Sequence, residues 1–304
     1  MHRLSPYISV WENLKRRFYG VSRPRKTGYR VSILTLGCCG PGFHSNRDEA
    51  LRAFKYALSH GINLVDIAPS YGEAEDRLGQ LISENRDKLI IAEKTMERTR
   101  EGAWRELKQS LKKLNVEYFD IYQFHAVTSM EALDQIFSDN GAMRAFLEAR
   151  DQGLIKHIDI TGHGDLRVIM KALEKFDFDT VLISVNAVNA IYSNPSNDYR
   201  PLLRMCIDRN IGVIAIKAIA KRRWRAHEKK YLMWYEPFDQ QEEIEKAVWF
   251  TLSQEGVATY SIACDIRLWP MIISAGERFR KLSEKEQKQI MNYFKQKDIC
   301  LLYT

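Results

Sequence analysis

Four side chains that can move or steer a proton fall in the first half of this chain: Asp66, Tyr71, Lys94 and His125. Asp66 sits near the end of a short apolar run, Asn63–Ala68, and Tyr71 follows in the turn Pro69-Ser70-Tyr71-Gly72. Lys94 ends a second apolar run and His125 a third. A tyrosine has a reference pKa of ~10 and is a poor acid at neutral pH. A lysine ammonium beside it favours phenolate and lowers that value. Asp66 would keep Lys94 charged and aimed, and His125 would hydrogen-bond a substrate oxygen. Such a set suits protonation of a developing alkoxide while another group delivers hydride. Each residue alone has a blander reading, because an Asp–Lys contact is more often a structural ion pair and a lone strand-end histidine is usually a satisfied polar residue. Their placement on successive strand ends is what points to function.

The elements that must position these residues alternate between strand and helix. Strands are predicted at Ser32–Gly37, Asn63–Ala68, Lys88–Lys94, Tyr118–His125, His157–Thr161, Thr180–Asn186, Gly212–Ala218 and Ala258–Cys264. Helices are predicted at Arg47–Ser59, Glu73–Glu84, Glu101–Leu114, Ser129–Gln152 with a break at Asn140-Gly141, Asp165–Phe176, Pro201–Arg209, Gln241–Ser253 and Trp269–Leu282. Trp104, Leu107, Leu111 and Leu114 show the helical spacing most plainly. Ser283-Glu284-Lys285-Glu286 reads as a capping box that opens a last helix to Lys297. An irregular excursion, Ile219–Gln240, lengthens the last interval. Eight βα units imply an α/β fold, a (β/α)8 TIM barrel. Residues 27–304 form one barrel domain with a C-terminal helical tail, and residues 1–26 are an N-terminal extension with a helix at Val10–Phe18. A doubly wound open sheet is the alternative. In a barrel, working groups gather at the carboxyl ends of the strands, and that is where Asp66, Lys94 and His125 fall.

Composition narrows the class. The 304 residues are 45% hydrophobic and 28% charged, enough for one large domain or two small ones. The net charge of +7 suits attraction to anions, but Lys and Arg are mostly interspersed with Asp and Glu, which argues against nucleic acid. The basic group from Lys15 to Lys26 reads as a solvated face. No apolar run reaches the ~20 residues of a membrane helix, and Met1–Gly20 lacks the apolar centre of a signal peptide. Five cysteines, none in a Cys-x-x-Cys pair, fit reduced thiols in a cytoplasmic protein. No His/Cys spacing makes a metal site. Gly162-His163-Gly164 imitates part of a dinucleotide fingerprint but lacks the third glycine, with Arg167 in its place.

Asp66-x-Ala68-x-x-Tyr71-Gly72-x-x-Glu75-x-x-Leu78-Gly79 resembles the active-site signature of the aldo-keto reductases. Lys26-Thr27-Gly28 with Leu36-Gly37, then Ala92-Glu93-Lys94-Thr95, then Asp120-Ile121-Tyr122 with His125, are similar to that family's flanking pieces. The resemblance implies a carbonyl reductase using NADPH or NADH on a (β/α)8 barrel, acting on a small-molecule aldehyde or ketone. It makes Tyr71 the proton donor, Lys94 and Asp66 its tuning pair, and His125 the orienting group. The second half departs from the family pattern. Its Ser-Asn pair after strand five is Thr161-Gly162 here, its strand-six Gln is Leu182 although Asn186 matches, and its nicotinamide cover after strand seven is Ile216. Thr161, Asn186, Lys217, Lys221, Arg222, Arg223, Asp265 and Arg267 are the candidate cofactor contacts, with Trp224 as a stacking partner. An acid at Asp265 disfavours a 2′-phosphate and favours a ribose hydroxyl. These departures keep two rivals open: a nicotinamide-binding barrel without turnover, acting as sensor or partner subunit, and an acid–base enzyme without nicotinamide.

Overall fold

The structure, a computed structural model, describes residues 26–225 and 227–302. The expected extension and its helix lie outside them. Strands β1 (Leu34–Gly37), β2 (Leu64–Asp66), β3 (Ile90–Thr95), β4 (Phe119–Phe124), β5 (Ile155–Gly162), β6 (Thr180–Ser184) and β7 (Gly212–Ile216) pair in parallel with their sequence neighbours. Two short strands, β8 (Ala220–Arg222) and β9 (Glu236–Pro237), make a separate antiparallel pair. The last strand, β10 (Val257–Ser261), lies between β7 and β1, and Leu34 pairs with Tyr260. That pairing closes the barrel and excludes the open-sheet alternative.

The strands alternate with period two, as barrel strands must. Leu64, Ile90, Ala92, Ile121, Leu182, Ile214 and Ile216 form a small apolar cluster inside the barrel. Val65, Ile91, Tyr122, Val181, Ile183, Val213 and Ala215 belong to the larger core beneath the helices. Asp66 is two residues beyond Leu64, and Lys94 two beyond Ala92, so both point inward above the apolar floor. Polar residues share that interior level: the Thr35 and Thr259 hydroxyls meet at 2.7 Å, and Thr180 bonds Asp159.

The helices start and stop for local reasons. Arg47–Ser59 is capped by Asn46, whose side chain accepts from the Glu49 amide. The expected run Ser129–Gln152 divides into Met130–Phe137 and Ala142–Asp151. The break falls at Gly141, where a Cβ would lie 2.2 Å from the Ile136 carbonyl oxygen. The helix expected to reach Leu282 ends at Glu277, while the Ser283 capping box does open Glu284–Lys295. Two five-residue helices, Cys39–Phe43 and Ala187–Ile191, were too short to show a period in the sequence.

One cysteine expectation is corrected. Cys39 and Cys264 form a disulfide with Cα atoms 5.2 Å apart, while Cys38, Cys206 and Cys300 are free thiols. Residue 39 follows β1 and residue 264 follows β10, so closure of the barrel brings together two positions 225 residues apart. Closing so long a loop limits the unfolded chain and is worth about 5 kcal/mol on the chain-entropy account. Dithiothreitol is therefore expected to lower the Tm of the wild type and to leave that of Cys39→Ser, already lower, unmoved. Equal Tm values for wild type and variant under oxidising conditions would contradict the cross-link. Among the described residues no helix is long and apolar enough to cross a membrane, and no group of three or more His, Cys, Asp or Glu is placed to hold a metal ion.

Candidate active site

The turn after β2 is built to hold one side chain. The Tyr71 amide bonds the Ala68 carbonyl at 3.0 Å, and the Ala74 amide bonds the Tyr71 carbonyl at 3.2 Å. Gly72 takes φ +60°, which an L side chain rarely adopts. Gly42 packs so closely that a Cβ there would fall 1.7 Å from the Tyr71 carbonyl oxygen. The turn is thereby wedged between the start of the helix Ala74–Glu84 and the segment after β1.

The four residues singled out in the sequence come together. Lys94 Nζ pairs with Asp66 Oδ1, donates to the Ile67 carbonyl at 3.2 Å and lies 5.0 Å from the centre of the Tyr71 ring. Asp66 Oδ2 accepts from the Ser261 hydroxyl at 3.0 Å. The Tyr71 and His125 rings stand at 90° with centroids 5.7 Å apart. His125 Nδ1 is 3.2 Å from Ser70 Oγ, and the His125 amide bonds the Thr95 carbonyl at 2.9 Å. Ala126, immediately after, sits at φ +52° and gives its amide to Thr161 Oγ1 at 2.7 Å, which fixes the chain as it leaves β4. Ser70 and Ser261 were not anticipated. Ser70 lies inside the Tyr71 turn, but the reach of Ser261 to Asp66 depends on barrel closure and has no local sequence signal.

The electrostatics correct one expectation. Burial raises the Tyr71 pKa, Lys94 opposes it and Asp66 adds to it, so the net direction is up rather than down. Tyr71 is held as the neutral phenol. For Lys94, burial works downward, but Asp66 and Tyr71 outweigh it, and the ammonium is kept charged. Burial, with Lys94 and Arg98 nearby, pushes His125 down to about 3. The ring is therefore neutral throughout the physiological range. Below pH ~6.5 an unfolded chain takes up a proton that the folded ring refuses, so His125 costs stability as pH falls toward 3. The His125 ring NMR signals are expected to stay unshifted between pH ~8 and ~5, and a titration midpoint near ~6.5 would contradict this environment.

On the opposite wall the tips of β5, β6 and β7 carry Thr161, Ser184 and Lys217. Thr161, Ser184 and Asn186 are buried, and Asn186 Oδ1 caps the helix Ala187–Ile191 through the Asn189 amide at 2.8 Å. Ser184, on the inward face with Leu182, has a hydroxyl without a hydrogen-bond partner among the described residues. Gly162 is a packing residue: a Cβ there would meet Ile169 at 2.4 Å, so its absence lets the helix Leu166–Lys175 lie close. His163, unanticipated as a site residue, bonds Lys217 Nζ through Nδ1 at 3.3 Å.

The outer basic residues are tied to the protein itself. Lys221 pairs with Glu236 at 2.7 Å, and Arg222 with Glu236 at 2.6 Å and Glu228 at 3.3 Å. Arg223 donates to the Leu302 carbonyl at 2.8 Å, and Trp224 donates its indole N–H to the Met233 carbonyl at 2.9 Å. Asp265 accepts from the Arg267 guanidinium at 2.6 Å and from the Leu232 amide at 2.7 Å. The acid expected to meet a ribose hydroxyl thus also clamps its own loop to the excursion after β7.

Residues 34–291 match the model of the Aldo/keto reductase family. The chain is 25% identical over 256 residues to an uncharacterized oxidoreductase, YqkF, of Bacillus subtilis, a match spanning 79% of this chain and 73% of that protein. It is 26% identical over 215 residues to L-glyceraldehyde 3-phosphate reductase of Escherichia coli, spanning 64% of this chain and 60% of that one. The fold is similar to the holo form of aldo-keto reductase AKR11C1 from Bacillus halodurans, with a TM-score of 0.70, 20% identity and coverage of 91% and 96%. It is also similar to an aldo/keto reductase from Klebsiella pneumoniae solved with NADP and acetate, with a TM-score of 0.67, 19% identity and coverage of 91% and 96%.

Proposed function

The chain belongs to the aldo/keto reductase family, and from that premise we propose that it reduces a small aldehyde or ketone to the alcohol with NADPH or NADH, Tyr71 giving the proton. The observation that carries the reading is the buried Lys94–Asp66 pair set beneath the Tyr71 ring and beside a neutral His125. The carbonyl oxygen would rest between Tyr71 and His125. With Nδ1 turned to Ser70, Nε2 of His125 is the nitrogen that meets this oxygen and orients it. A bound nicotinamide supplies hydride to the carbonyl carbon. As negative charge grows on the oxygen, Tyr71 releases its proton to it, and the nearby Lys94 ammonium stabilises the phenolate left behind. Asp66, itself held by Ser261, keeps Lys94 charged and fixed in place.

The opposite wall suits the cofactor. The unpartnered Ser184 hydroxyl, with Thr161 and Asn186, offers hydrogen bonds to a carboxamide beside an apolar surface at Ile216. Lys217 and the β7–β10 rim, with Lys221, Arg222, Arg223, Asp265 and Arg267, would hold the rest of the dinucleotide. Ion pairs already made by Lys221 and Arg222 would have to be shared with its phosphates. Titration with NADPH and with NADH, followed by a panel of aldehydes and ketones, tests the reading. Binding with turnover is expected. Binding without turnover would replace the reductase by a sensor, and failure to bind either dinucleotide would remove the hydride step altogether.

A further inference from the structure

The loop between β3 and the helix Arg100–Leu114 carries a charge that the tetrad does not use. Arg98 is half-buried there. Glu97 and Glu106 are near enough to act on its charge, yet its hydrogen bonds go to main-chain carbonyls. Nη1 donates to the Thr95 carbonyl at 3.4 Å, and Nη2 donates to the His125 carbonyl and, at 3.4 Å, to the Ala126 carbonyl. Thr95 directly follows Lys94, and its carbonyl also accepts from the His125 amide at 2.9 Å. One planar guanidinium thus ties the tip of β3 to the tip of β4, beside the two residues that present Lys94 and His125.

The contact is held from both sides. Ala126 takes φ +52°, and a non-glycine residue persists in that region only where its surroundings over-determine it. Arg98 holds its carbonyl, while Thr161 Oγ1 takes its amide at 2.7 Å. The Arg98 main chain is fixed as well. Its carbonyl accepts from the Ala142 amide at 2.9 Å, the Arg100 amide bonds the Asn140 carbonyl at 2.9 Å, and Thr99 and Gly141 form an antiparallel bridge between them. The break between the helices Met130–Phe137 and Ala142–Asp151 therefore anchors the loop that aims Arg98.

We infer that Arg98 is a positioning residue for His125, its guanidinium clamping the main chain that carries the ring so that the ring meets the carbonyl oxygen at one place. The inference deepens the reductase reading and rests on it for the effect on rate. Ser70 restrains the ring through Nδ1 at 3.2 Å, and Arg98 restrains the backbone from which the ring hangs. A misplacement of ~1 Å in an orienting group can cost about a hundredfold in rate.

Arg98→Met is expected to lower kcat by about tenfold to a hundredfold, with KM changed less. Arg98→Lys, which keeps the charge but loses the fork, should recover only part of that loss. The double variant Arg98→Met with His125→Ala separates positioning from general loosening, because a residue that acts through His125 adds no further loss to His125→Ala alone. An unchanged kcat in Arg98→Met, or losses that multiply in the double variant, would overturn the inference. A second readout needs no turnover. The Tyr71 and His125 rings stand edge-on with centroids 5.7 Å apart, so nuclear Overhauser contacts between their ring protons should appear in the wild type and weaken in Arg98→Met. The Tyr29–His157 pair near the start of β5, with centroids 5.3 Å apart, is the control. Weakening at Tyr71–His125 alone supports the clamp even if no carbonyl is reduced. Contacts that stay equal, or that weaken at both pairs, overturn it. Arg98→Lys carries the same comparisons where the methionine variant does not fold.

Discussion

Tyr71→Phe is expected to cut turnover by about a thousandfold, within the usual range for losing a positioned general acid, while dinucleotide affinity stays nearly unchanged. The phenol is held protonated and packs edge-on against His125. Burial keeps it protonated in the resting protein against the opposing pull of Lys94. The substitution removes one hydroxyl from a half-buried ring whose packing against His125 is otherwise retained. Steady-state kinetics and a fluorescence titration of the cofactor check the two halves of this result. An unchanged kcat would remove Tyr71 from the mechanism.

Lys94→Met is expected to do two separate kinds of damage. It leaves the Asp66 carboxylate buried at 3% exposure with its cation gone, and breaking a buried pair from one side typically costs about 3–5 kcal/mol. It also removes the charge that stabilises the Tyr71 phenolate, so turnover should fall at least as far as in Tyr71→Phe. The double variant Lys94→Met with Asp66→Asn separates the two effects. With no uncompensated carboxylate left, stability measured by urea unfolding should largely return, while activity stays lost. Recovery of activity along with stability would mean that the pair is only structural.

The barrel and one wall of its mouth were legible in the sequence for the same reason. Apolar runs at regular intervals place strand ends, and period-two alternation from Leu64 to Asp66 and from Ala92 to Lys94 turns these side chains inward. Local turn chemistry at Pro69–Gly72 places Tyr71. What was not legible depends on contacts between distant parts of the chain. Ser261 reaches Asp66, and Cys39 reaches Cys264, only because β10 closes against β1. The direction of the Tyr71 shift was misread because a neighbouring lysine is visible in the sequence, whereas the depth of burial is not. The charges from Lys221 to Arg225 are plain in the sequence, but their pairing with Glu236, Asp298 and the Leu302 carbonyl depends on parts of the fold distant in the chain. His163 was passed over as part of an incomplete glycine motif, when its partner Lys217 lies two strands away.

The most direct measurement is deuterium transfer. With NADPH or NADH deuterated at the transferable position of the nicotinamide, and a carbonyl substrate the enzyme turns over, mass spectrometry of the alcohol should find one deuterium on the former carbonyl carbon. The amount of labelled alcohol should fall with the loss of turnover in Tyr71→Phe, each molecule that still forms carrying the deuterium. An alcohol formed without deuterium, or no alcohol formed from any carbonyl while the dinucleotide binds, would contradict the account.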